Sequence, residues 1–171
     1  MPKLLTYIIT FLVLSVLQFF VISHLALSQY LSIYIYIMVI IIADMQIKGY
    51  ALLLLAFSLG IITDAVEGSA GLFTVTMTFM AFCRPQILAY IASREISDNG
   101  GTPTSSRLGT GRFITYVATM VTLWAVPFFI LETAGVANPM LTTLRIILNV
   151  VSTTVLIYFL QLPLNRNRYD I

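Results

Sequence analysis

From Leu4 to Ala43 the chain carries no Asp, Glu, Lys or Arg, and the uncharged runs 49–63, 68–83, 113–131 and 146–165 follow it. No water-soluble fold of 171 residues hides so much unbroken apolar sequence. Soluble domains carry roughly 25% charged residues, whereas here 9% are charged and 59% hydrophobic. The mean hydropathy is +0.97. The charges gather at the ends of the apolar runs, as a bilayer demands. The chain is therefore expected to form one integral membrane domain over 1–171, an all-α polytopic bundle.

A formal charge of +2 without a basic stripe excludes nucleic acid as a partner. Cys83 is the single cysteine, so no intramolecular disulfide can form. With only His24 beside it, a His/Cys metal site lacks ligands, and no cofactor is expected.

A helix crosses the hydrocarbon core in about 20 residues. That length places spans at 4–23, 27–43, 50–66, 70–92, 113–134 and 140–162, about six in all. Five remain possible if the second and third include a re-entrant piece. With both termini on the cytoplasmic side, Lys3, Lys48, Arg94, Arg107, Arg112, Arg166 and Arg168 all fall inside, and Asp64, Glu67 and Glu132 outside. Flanking cations set orientation in this sense. A cleaved signal peptide is the rival reading of the N-terminus, but its first apolar run exceeds the usual 7–15 residues. The polar stretch 93–112 is rich in Gly, Ser and Pro and reads as a mobile cytoplasmic loop that sets topology. Contact with lipid headgroups or a protein is the alternative. Its glycines lack the Gly-Lys-Ser/Thr of a phosphate loop.

Polar residues inside the spans are the candidate functional groups, because the bilayer makes them costly. Ala56, Gly60, Asp64 and Gly68 recur every four residues along one face, and small residues in that pattern let helix backbones approach. Asp64 either binds a ligand or proton, or pins the turn into the next span by backbone hydrogen bonds; the second is favoured. Arg145, Asn149 and Ser152 line one stripe of the last span. Arg145 is expected to pair with Asp64, Glu67 or Glu132 and lock the last helix against the third. Asp64, Glu67, Glu132, Arg145 and Asn149 could together form an outer-side polar cluster. Arg84 is expected to snorkel to the inner headgroups, Pro85 and Pro127 to kink their helices, and Tyr30, Tyr34, Tyr36 and Tyr50 to act as interfacial anchors.

Catalysis needs mutually placed groups. No Ser/His/Asp, Cys/His or zincin pattern occurs, and the topology puts Asp44 and Asp64 on opposite sides, so an enzyme is not expected.

The pattern Gly60-x-x-x-Asp64-x-x-x-Gly68-x-x-Gly71-Leu72, in an apolar chain of this length, resembles the MreD family of bacterial rod shape-determining proteins. Ala70 stands where a proline is common in that family. The resemblance implies a multi-pass protein of the cell inner membrane, without catalytic activity. It also implies an MreC-like bitopic partner and association with penicillin-binding and RodA-type wall synthases and the MreB filament. It further implies a six-helix fold like the substrate-binding subunit of energy-coupling-factor transporters. Gly60, Asp64, Gly68 and Gly71 are the matching positions, implied to shape the outer end where the partner docks.

Two other classes stay open. A vitamin-binding transporter subunit would need a polar or aromatic outer pocket and an early Ala-x-x-x-Ala face, and the first span lacks that face. An ion- or proton-coupled transporter using Asp64 would show internal repeats, and the two halves are not similar.

Overall fold

The computed structural model describes residues 34–92, 100–133 and 139–166. All regular structure among them is helical. A single 3-10 turn, Ile35–Ile37, leads into the short helix α1 (Met38–Ile41). Four long helices follow: α2 (Gly49–Glu67), α3 (Leu72–Ile91), α5 (Thr110–Glu132) and α6 (Pro139–Arg166), with the short α4 (Ser105–Leu108) before α5. All four long helices have the length and apolarity to cross a membrane, which makes this a multi-pass membrane protein.

These helices match the expected spans 50–66, 70–92, 113–134 and 140–162 to within a few residues. The expected span 4–23 lies outside the described residues, as does the first part of 27–43. The remainder of that second span is the 3-10 turn and α1. Here every side chain from Tyr36 to Ile41 is at most 4% exposed. This segment is part of the hydrophobic core and not a lipid-facing surface.

Around it α2 and α3 make an antiparallel hairpin, α3 packs on α5, and α5 on α6. Met77, Met80, Phe113, Tyr116, Met120 and Trp124 fill the interior. The opposite faces carry exposed apolar side chains such as Leu54, Phe79, Ile114 and Val151, as expected where lipid replaces water. Neither proline ends its helix: α3 continues through Pro85 and α5 through Pro127.

The stretch 93–112 is less loop-like than its composition suggests. Residues 93–99 lie outside the described residues, but Gly100, Pro103 and Leu108 are buried, and α5 already begins at Thr110. Backbone pairing explains the order. Met45 N donates to Gly101 O at 2.9 Å, and Gly101 N donates to Asp44 Oδ1 at 3.0 Å. Asp44 thus joins two segments distant in sequence.

Candidate functional site

The turn between α2 and α3 gathers the four motif positions. Gly68 ends α2 at φ 68° and Gly71 begins α3 at φ 90°. Both values lie in the left-handed region where a Cβ is penalised. The chain therefore reverses within four residues, and the two helices return side by side. Gly60 sets their separation: a Cβ there would lie 2.5 Å from Thr74 Cα and 2.9 Å from Thr74 N. Only a residue without a side chain permits that approach.

Asp64, one turn further along the same face, uses the proximity. Its Oδ1 accepts from Ser69 Oγ at 2.6 Å and Phe73 N at 3.0 Å, and its Oδ2 accepts from Thr74 N at 2.9 Å and from Thr74 Oγ1. The carboxylate of one helix thereby caps the next, satisfying N–H groups left open in its first turn and meeting the positive end of its dipole. Gly60 and Asp64 both act on Thr74, so the glycine spacing and the carboxylate form one device. Ser69 N closes the turn on Asp64 O at 3.2 Å.

Of the three acids expected as partners of Arg145, Glu132 is one that it meets. Arg145 meets Glu132 at 3.7 Å, joining the end of α5 to the beginning of α6, and its guanidinium lies over the Phe129 ring at 5.5 Å. Asp64 is engaged by its own turn, and the Arg145–Glu132 ion pair joins the last helix to α5. The short α5–α6 connection makes Glu132 the nearest acid in chain terms. Asn149 is buried and donates from Nδ2 to Arg145 O at 2.8 Å, within its own helix. Glu67 is exposed and pairs with no described residue.

Arg84 departs furthest from expectation. It does not snorkel: it is 1% exposed. Its Nε donates to Tyr116 Oη at 3.0 Å, its Nη2 to Ala43 O and to Ile41 O at 3.4 Å, and its Nη1 to Asp44 O at 3.5 Å. Tyr116 Oη in turn donates to Ile41 O at 2.9 Å. Arg84 and Tyr116, from α3 and α5, together satisfy the carbonyl end of α1, where a helix dipole is negative. An arginine far from any expected boundary was the only signal of this hub in the sequence.

Tyr34 and Tyr36 are likewise not interfacial anchors. Tyr34 packs on Trp124 and Phe128 with ring centroids 4.8 and 5.5 Å away, and Phe73 lies 4.8 Å from Phe128. Tyr36 is 4% exposed. Tyr50, at 64% exposure, does stand at a helix end under Lys48. Among the described residues no three His, Cys, Asp or Glu side chains are grouped to hold a metal ion. Compared with known proteins, the chain matches no family model, no curated protein and no solved structure.

Proposed function

We propose that this protein is a non-catalytic membrane scaffold of the MreD type, which binds an MreC-like single-span protein and helps direct wall synthesis during cell elongation. The observation carrying this reading is the turn built from Gly60, Asp64, Gly68 and Gly71. Its one carboxylate has both oxygens occupied by hydrogen bonds within the protein. Such a group shapes a rigid outer end instead of transferring a proton, and a rigid end suits docking by helix packing. The reading includes six spans with the transporter-subunit architecture, residence in the cell inner membrane and both termini in the cytoplasm. Wall synthases and the MreB filament would be further partners.

The test is purification of the tagged protein from its native membrane in mild detergent, with mass spectrometry of what accompanies it. An MreC-like protein is expected, and its loss on Asp64→Ala with the fold retained. Recovery of a transporter ATPase pair would overturn the reading.

The vitamin-transporter alternative would place its ligand at the aromatic group of Tyr34, Phe73, Trp124 and Phe128. Those rings pack against one another at 4.7–6.2 Å, which is the contact distance of an aromatic core. The scaffold reading is therefore preferred.

A further inference from the structure

Among the described residues, one end of the bundle, formed by the start of α2, the end of α3, α4 and the start of α5, gathers exposed cations. Lys48, Arg107 and Arg112 are exposed there. The described carboxylate at this end is that of Asp44, and its Oδ1 accepts from Gln46 N and Gly101 N, both at 3.0 Å. Asp44 is thus turned to backbone, and the cations face outward. The opposite end carries Asp64, Glu67 and Glu132 against Arg145. Among the described residues the exposed charge therefore changes sign from one end to the other.

Two aromatic residues mark the level of the cations. Tyr50 is 64% and Tyr90 92% exposed, at neighbouring ends of the antiparallel α2 and α3. Lys48 Nζ sits 5.8 Å from the Tyr50 ring centroid. Exposed tyrosines at the ends of spanning helices lie at headgroup depth. The cations beside them lie in the same layer, where the phosphates of lipids are found. Arg107 also donates to Gly100 O, which holds α4 in that layer. Arg112, in the first turn of α5, is an exposed cation at a helix end whose dipole is itself positive.

We propose that this end is a binding surface for the headgroups of anionic phospholipids, with Lys48 and Arg112 engaging phosphate and Tyr50 and Tyr90 seated at the headgroup boundary. Each juxtamembrane cation adds a defined increment to attraction for an anionic leaflet. The partner is an acidic lipid and not a zwitterionic one, because the exposed Lys48, Arg107 and Arg112 attract a headgroup with net negative charge more strongly than one whose charges cancel.

The experiment is native mass spectrometry of the purified full chain, titrated separately with phosphatidylglycerol and phosphatidylcholine of identical acyl chains. Tighter binding of phosphatidylglycerol is expected, weakening as salt rises. Lys48→Gln/Arg112→Gln should lower that affinity roughly tenfold and leave phosphatidylcholine binding unchanged. The charge-keeping variant Lys48→Arg/Arg112→Lys should retain the preference, and it carries the test if the neutral variant does not fold. Equal binding of the two lipids overturns the proposal, as does an unchanged preference in the neutral variant. Competition by inorganic phosphate as strong as that by the lipid would also overturn it, assigning the surface to free phosphate.

Discussion

At Asp64 a single carboxylate performs work that would otherwise fall to the first turn of α3. Its four hydrogen bonds are charge-assisted, and such bonds are stronger than neutral ones. Asp64→Ala is expected to cost about 2 kcal/mol, read as a lower thermal midpoint in detergent. Asn, which keeps one acceptor oxygen, should lose less. Gly60→Ala acts on the same contact from the other side. Its methyl would press on Thr74 backbone, and overpacking of this kind costs about 1–3 kcal/mol. Arg84→Met should be the more damaging change. It removes the donors to Ala43 O and Asp44 O, and each buried acceptor left open costs roughly 1–3 kcal/mol. Tyr116→Phe should cost about 1 kcal/mol. Because both side chains meet at Ile41 O, the double variant should deviate from additivity.

Between elements, the hairpin of α2 and α3 is held by close backbone approach and a cap, whereas α5 and α6 are joined near their connection by the Arg145–Glu132 pair. That pair is partly solvated, with side chains 25% and 36% exposed. Pairs so exposed contribute under about 1 kcal/mol, so Glu132→Gln should shift the thermal midpoint little. Asp64→Asn and Arg145→Gln should be additive in a double-mutant cycle, because each acts on a separate contact. A coupling above about 0.5 kcal/mol would show that the two contacts communicate. The spacing of Ala56, Gly60, Asp64 and Gly68 made the existence of a tight seam legible in the sequence. It did not say which helix lay across it, because a four-residue period defines a face and not its partner.

For the whole molecule, the separation of charge along the bundle predicts sidedness. In a Cys83→Ala background, Glu67→Cys and Ser106→Cys should react with an impermeant thiol reagent from opposite sides of the membrane, since both positions are exposed. Labelling of both from one side would contradict the antiparallel course of the helices. The four long spans could be read from long, mostly apolar stretches, even though Arg84 and Arg145 fall inside two of them. α1 could not be read, because an apolar run looks the same whether it faces lipid or is enclosed by other helices. Tyr34 and Tyr36 were misplaced for that reason, and Arg84 was assigned to the headgroups because its carbonyl partners lie some forty residues away in the chain.

What the sequence by itself determined is the environment and the elements. Mostly apolar stretches long enough to span a bilayer are expected to be helical there, since lipid offers no partner for open backbone groups. Glycines at 60, 68 and 71 with Asp64 between them specify a tight turn, a matter of local backbone geometry. Tertiary structure decided the rest: that Arg145 meets Glu132, that Asp44 binds the Gly101 segment, and that Arg84 and Tyr116 close the end of α1. Those choices depend on distances between residues far apart in the chain, and only the packed helices set those distances.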